Sequence, residues 1–426
     1  MRGLFVFSVM LGPTLVVACG ARTGLGIDVF ADASVLFDST TEDRGDVHVS
    51  DAALRDTQTI DSSVFDSAIV PDAMPGDAGS PVQGIAIGIN DTCVVQSSGV
   101  LKCFGFSGGS TATAIAGLDG PVVGVDVGRG VFARIQSDEL EVWGHDLFDI
   151  LGLGADGGIV KSPTPLSSLG FTVAGADSSY THSCAVLVDG DAACWGINGS
   201  GELGDGLVGG RQPFPTPVKG LGGFATAIIT GSAFTCALLS GGKVQCWGQN
   251  GLGQLGDGTG NDSASPVDVL GMTDAVAIAA GTLHACALRS TGTVLCWGDD
   301  EWGQLGDGVI PDGGDNYEFA PVDVVGLSGV TAITAGGFST CALLTNGTVW
   351  CWGNNGLGQL GDGTQKLRAS PVSVQGISNA IAIAIGTSKA CALLSTGAAK
   401  CWGGGNLGNP KAANPSLTPV DVVGLP

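Results

Sequence analysis

Apolar positions in this chain come in short alternating runs, and the runs recur. Ala275–Ala280, A-V-A-I-A-A, is one of them. Cys286–Gly298 follows as C-A-L-R-S-T-G-T-V-L-C-W-G, in which two runs flank the polar triplet Ser290-Thr291-Gly292. Runs of that length around a three-residue break predict a β-hairpin, with a type I turn closed by a left-handed residue at Gly292. Beyond it lie Gly303–Gly308, G-Q-L-G-D-G, and a further extended run at Pro321-Val322-Asp323-Val324. The hairpin frame begins at residues 93, 132, 184, 236, 286, 341 and 391, a period near 50. Four short strands per unit, repeated seven times, predict an all-β fold: a seven-bladed propeller with four antiparallel strands per blade. A unit of this size cannot bury both faces of its own sheet, so neighbouring blades must stack to make the core.

Six of the seven frames carry two cysteines ten residues apart. The three-residue loop sets Leu288 opposite Val294 and Cys286 opposite Cys296, at a separation a disulfide can span. The expected bonds are Cys93–Cys103, Cys184–Cys194, Cys236–Cys246, Cys286–Cys296, Cys341–Cys351 and Cys391–Cys401. The same register puts a small residue beneath each indole, with Trp297 opposite Ala285, Trp247 opposite Thr235, Trp195 opposite Ser183, Trp352 opposite Thr340 and Trp402 opposite Ala390. The copy at Phe132–Gly144 has Phe132 and Val142 in place of both cysteines. Joint loss is what a bonded pair predicts; independent buried thiols would be lost separately. Asp138 holds the left-handed turn position in that copy, which aspartate tolerates. Zinc is a poorer account, because pairs ten apart in a chain with four histidines lack four-ligand spacing. Six disulfides call for an oxidising compartment.

The unit A-A-G-x-x-H-x-C-A-L…G-x-V-x-C-W-G…G-Q-L-G-D-G-T…P-V-x-V resembles the repeat of the regulator of chromosome condensation family, over roughly residues 81–426. The resemblance implies a seven-bladed β-propeller. Relatives of this family bind chromatin and act on a small nuclear GTPase, and nothing in these residues carries that exchange activity over. The paired cysteines depart from the nuclear members. The first unit opens part-way, at Ile85–Ile89, and the chain ends on Pro419-Val420-Asp421-Val422. That offset predicts a ring closed by strand exchange, with Val420–Val423 in the blade that contains Ile85–Ile89.

The N-terminal residues have a different character. Residues 1–19 read as an export signal: Arg2 precedes the apolar Leu4–Val17, which is too short to span a bilayer. Val16-Val17-Ala18-Cys19 resembles a bacterial lipobox, which makes Cys19 the lipidation site and the thirteenth, unpaired cysteine. Residues 20–80 carry eleven Asp and one Glu against three Arg, with acids at Asp46, Asp51, Asp56, Asp61, Asp66, Asp72 and Asp77. Without an apolar period, this is expected to be a disordered acidic tether. The chain carries −23; the first 80 residues hold four basic and twelve acidic residues, −8, which leaves −15 for residues 81–426. An acidic, exported propeller disfavours nucleic acid as a partner.

The candidate chemistry is sparse. His182 and His284 share a repeat position that elsewhere holds Phe234, Ser339 and Lys389, which reads as a strand-end surface site. The G-D-G at Gly256, Gly306 and Gly361 reads as a recurring turn ahead of a calcium loop, and the glycine-rich loops lack the lysine and helix of a phosphate cradle. Trp302 stands where Leu252 and Leu357 stand and is expected to pack. Arg129, Arg134, Arg211, Arg289 and Arg368 occupy no matching positions, so no clustered-arginine propeller site is expected. No catalytic, cofactor or metal residues are assigned. The insertion Val309–Phe319 reads as a surface loop, with Asp312, Asp315, Tyr317 and Phe319 as candidate partner contacts. The functional expectation is a monomeric, non-catalytic protein-binding propeller, lipid-anchored to the bacterial envelope at the outer membrane or surface. An envelope hydrolase or lyase with a site in the channel mouth, and a purely structural envelope protein, are the alternatives.

Overall fold

The computed structural model describes residues 82–425 except 90, 155–156, 168–169, 171 and 311–315. The expected signal, Cys19 and the acidic tether lie outside the described residues, as do Asp312 and Asp315.

Seven four-stranded antiparallel sheets follow one another along the chain, each built from consecutive strands. Blade 1 spans residues 82–114, blade 2 122–165, blade 3 173–217, blade 4 225–268, blade 5 275–323, blade 6 330–373 and blade 7 380–421. Blade 5 shows the common plan: Ala275–Ala280, His284–Arg289, Val294–Asp299 and Tyr317–Asp323. Its hairpin has the expected register, with Leu288 opposite Val294, Cys286 opposite Cys296 and Ala285 opposite Trp297. Gly292 takes φ +76° and Asp138, its counterpart in the cysteine-free copy, +61°. In each blade a bulge shifts the pairing of the first two strands, as between Ala275 and Ala277. Bulges increase local twist, which a propeller blade requires.

The six expected disulfides are formed, each linking residues at Cα–Cα 4.0–4.1 Å in the cross-strand pair, and all twelve cysteines are buried. The core lies between blades, as the size of the unit requires. Ile229 and Phe234 of blade 4 pack with Ile278 and Trp297 of blade 5. The outer strands, which leave one edge unpaired, carry prolines such as Pro213, Pro215, Pro266, Pro321 and Pro371. Proline on an edge strand blunts unwanted pairing.

Two expectations are overturned. The ring does not close by strand exchange: Ser416–Asp421 pairs within blade 7, while Val82–Ile87 pairs within blade 1. Closure comes from side-chain packing of Ile85 and Phe104 against Leu393 and Leu407, plus the Ala112 N–H bonding the Val423 carbonyl at 2.9 Å. Each end of the chain already supplies a complete set of four strands, so neither blade has a vacancy to fill. Second, Tyr317 and Phe319 do not sit in a loop. They belong to the outer strand Tyr317–Asp323, which begins four residues earlier than its Pro321-Val322 signature.

Candidate functional site

A latch repeated between blades organises one end of the ring. In blades 2 to 6 an Asn or Asp follows the third strand and folds the next loop around itself. Asn250 Oδ1 accepts the Leu255 N–H at 2.9 Å, and its Nδ2 donates to Asp257 Oδ1 at 3.1 Å and to the carbonyls of Thr259 and Asn261. Leu255 is thereby driven into the core. The loop then meets the next blade: indole N–H groups of Trp195, Trp247, Trp297, Trp352 and Trp402 donate to carbonyls of Ile150, Glu202, Gln254, Gln304 and Gln359, at 2.7–2.9 Å. Gly256 is required there because a Cβ would lie 2.8 Å from Trp297, and its φ is +62°. The G-D-G is therefore a turn whose aspartate ties the loop internally and whose first glycine receives an indole.

His182 and His284 belong to the same latch. Both are fully buried, which overturns the expectation of a strand-end surface site. Each Nε2 lies 2.8 Å from a threonine hydroxyl of the next blade, Thr235 and Thr340. Those hydroxyls donate their own protons to the Glu202 and Gln304 carbonyls, so the histidines carry the proton on Nε2. Burial pushes both imidazoles down to about 3, so they are neutral at physiological pH. The position tolerates Phe234, Ser339 and Lys389, also buried, because it faces a neighbouring blade whose residues change with it.

Turns joining strands one to two and three to four leave an antiparallel blade at the same end, so one face carries all the latch loops. Large apolar side chains are exposed there: Phe106, Leu147, Leu207, Val208, Leu357 and, in blade 5, Trp302, Val309 and Ile310. Ile310 is 78 % exposed. Trp302, expected to pack, keeps 38 % of its surface exposed while leaning on Phe338 at 6.3 Å between ring centroids. Of the candidate contacts, Phe319 packs edge-on against Tyr317 at 5.0 Å and reaches Gly260 of the preceding blade, so it serves blade stacking.

Two features of this face were not legible as motifs. In blade 2, Phe148 and Asp149 take positive φ in succession, 66° and 61°. Phe148 meets Tyr180 of blade 3 edge-on, and the Arg129 guanidinium lies 3.3 Å from the Tyr180 ring centroid. Asp149 is buried and paired with Arg211 at 2.9 Å. In blade 5, Asp300 takes the place of Asn250. Burial first, then the negative charges of Asp307, Asp299 and Glu318, push its carboxyl up to about 7. Asp299, bonded by Gln304 Nε2 at 2.6 Å, is pushed up to about 6, mainly by burial. Glu202, standing where blades 4 to 6 have glutamine, rises to about 7 mainly by burial.

The central channel is walled by the first strands. A cavity of about 310 Å³ lies against those of blades 2 to 5. Its lining is small and apolar apart from Asp126, Arg134 and Thr226, with no histidine among the described residues.

A family profile described as the regulator of chromosome condensation (RCC1) repeat matches residues 226–254, 275–304 and 330–359, and a second matches 241–288, 291–343 and 346–393. Residues 226–393 carry regulator of chromosome condensation repeats. These segments run from blade 4 into blade 7, where the hairpin and the latch loop are most regular. Among curated proteins, the mitochondrial RCC1 domain-containing protein RUG3 of Arabidopsis thaliana is 32% identical over 155 residues, 34% of this chain and 34% of that protein. The probable E3 ubiquitin-protein ligase HERC3 of Homo sapiens is 38% identical over 89 residues, 21% of this chain and 8% of the ligase. The chain thus spans about a third or less of these relatives. Among solved structures, yeast RCC1 (Prp20) bound to Kap60 superposes with TM-score 0.66 at 19% identity, over 74% of this chain and 78% of that one. Prp20p of Saccharomyces cerevisiae, whose structure was described with its binding to Gsp1p and histones, gives 0.65 at 18% identity, over 85% and 88%. Human WBSCR16 gives 0.60 at 17%, over 84% and 93%. At these identities the likeness speaks for the fold.

Proposed function

We propose that this chain is a non-catalytic, protein-binding propeller, held on the outside of a bacterial membrane by lipid on Cys19 and a 61-residue acidic spacer, residues 20–80. The observation that carries the reading is the latch face. Its loops expose Phe106, Leu207, Val208, Trp302 and Ile310, while the scaffold beneath is fixed by buried indole and histidine bonds. Exposed apolar residues on rigidly presented loops favour a protein partner, since little order is lost on binding. The yeast repeat protein with this fold was crystallised bound to another protein, Kap60. The two buried histidines are committed to blade stacking, which leaves them no part in proton transfer.

The test has two arms. Cys19→Ser should leave the protein unprocessed or move it from membrane to soluble fractions, with the lipid lost from the mature N-terminus by mass spectrometry. Cross-linking on intact envelopes should capture a defined protein that Leu207→Ser/Trp302→Ser/Ile310→Ser loses. Val100→Ser/Val188→Ser, in turns joining strands two and three at the opposite end, should keep it. Membrane partition unchanged without Cys19, or capture indifferent to the latch-face triple change, refutes the corresponding half.

A further inference from the structure

Equivalent buried positions in the seven units single out blade 2. On the second strand, two residues after the first cysteine, the other blades carry Val95, Val186, Leu238, Leu288, Leu343 and Leu393, all buried. Blade 2 has Arg134 there, opposite Gly124. On the first strand, opposite that cysteine, five blades carry Ala86, Ile229, Ala279, Thr334 and Ala384. Blade 2 has Asp126, and blade 3 has Asp177. Blade 2 is also the copy in which Phe132 replaces the cysteine. All three departures, Asp126, Phe132 and Arg134, line the same channel cavity of about 310 Å³.

Arg134 and Asp126 place ionisable groups where most sister blades have apolar residues, and Phe132 with Val142 stands in place of a disulfide. The Arg134 side chain is only 17 % exposed. The Asp126 carboxyl makes no hydrogen bond of normal geometry, with the Val127 and Ser178 N–H groups merely nearby. Burial and the charge of Asp177 push it well up, which favours the protonated form, a hydrogen-bond donor. Both Asp126 oxygens are sealed from solvent, so it is Arg134 that brings a charged group to the cavity against the repeat's own rule, and such a departure marks a site retained for binding. Apart from Thr226, the rest of the wall is apolar, supplied by Val125, Leu140, Ile228, Leu238, Val276 and Ile278 among others. An apolar pocket with a few convergent polar groups is the usual form of a small-molecule site, and this one holds the volume of roughly ten waters.

We propose that this cavity binds a small organic acid, with its carboxylate on the Arg134 guanidinium and its hydrocarbon body against the apolar wall. Arg134 Nη1 lies 3.1 Å from Asp138 Oδ1, which orients the planar head group. A guanidinium matches a carboxylate in two parallel hydrogen bonds, a geometry lysine cannot offer. The proposal does not depend on the protein-binding reading, since the cavity lies in the channel wall and the exposed apolar loops lie on the latch face.

The probes are sodium hexanoate and sodium benzoate, titrated calorimetrically into the full oxidised chain, with hexanol as the neutral control. Both acids should bind saturably and hexanol more weakly. Arg134→Leu installs the residue of blades 4 to 7 and should weaken binding by at least about tenfold, the loss of a charge-assisted pair. Gly175 also lines the cavity, and a Cβ built there meets nothing within 4 Å. Gly175→Leu should therefore fill the space, fold normally and abolish binding, so the site is tested even where Arg134→Leu fails to fold. Absence of saturable binding of both acids, or binding retained in either folded variant, overturns the proposal.

Discussion

Asp300→Asn should stabilise the ring, and more at pH 8 than at pH 5. In blades 3, 4 and 6 the equivalent residue is Asn198, Asn250 or Asn355, whose amide donates to Asp205, Asp257 or Asp362 at 3.2, 3.1 and 3.1 Å. In blade 5 a carboxyl faces the corresponding Asp307, and Asp300 rises from 3.8 to about 7. The native state therefore binds a proton between pH 4 and 7 that the unfolded chain has released. This group's contribution is complete below the unfolded value and is lost as pH rises through the folded one. At 1.36 kcal/mol per pKa unit the loss could reach about 4 kcal/mol. Solvent reaching the loop screens the charges and reduces it to about 1–2 kcal/mol. The asparagine keeps the bond to the Leu305 N–H, now 2.9 Å from Asp300 Oδ1. It also regains an amide–carboxylate bond worth about 1 kcal/mol. The expected gain at pH 8 is about 2–3 kcal/mol, a rise of roughly 3–4 °C in Tm for a ring of this size. Differential scanning calorimetry of both proteins from pH 4.5 to 8.5 measures it. A gain identical at pH 5 and pH 8, or a lower Tm at pH 8, would show that the two carboxyls do not oppose each other.

Two further outcomes follow from the latch and the hairpins. Each disulfide closes a loop of about 11 residues and contributes at most roughly 2.5–3 kcal/mol, so Cys286→Ala/Cys296→Ala should lower the Tm without unfolding the ring, as blade 2 folds without one. Non-reducing peptide mapping that found a bond between two repeats would contradict the pairing. Thr340→Val removes the acceptor of His284 Nε2 and should cost about 1–3 kcal/mol by denaturant titration at pH 7. His182 and His284 are neutral when folded and charge only in the unfolded chain, so they withdraw stability as pH falls below 6.5. In Thr340→Val, His284 Nε2 loses a bond made by the neutral ring. A loss below about 0.5 kcal/mol would mean that the histidine finds another partner.

The hairpins, the blade count, the cysteine pairing and the residue beneath each indole were all legible along the chain. They depend on spacing within one unit, where a three-residue loop sets register and register sets which residues meet. Asp138 in the left-handed turn position is the plainest instance, since its backbone follows from its four neighbours. What only the tertiary structure decided lies between units. Strand type alone placed Val420 in blade 1, yet the number of strands each blade already possessed kept it in blade 7. His182 looked like a surface residue because its position varies, and variation along one strand is uninformative when the facing blade varies too. Tyr317 and Phe319 were hidden by an insertion that lengthened the strand they begin. Arg134, Asp126 and Phe132 lie on neighbouring strands of blade 2, and each on its own reads as an ordinary lapse from the repeat. Only the closing of the ring brings them to a cavity completed by Ile228 of blade 4 and Ile278 of blade 5, because residues that far apart in the chain become neighbours through blade stacking.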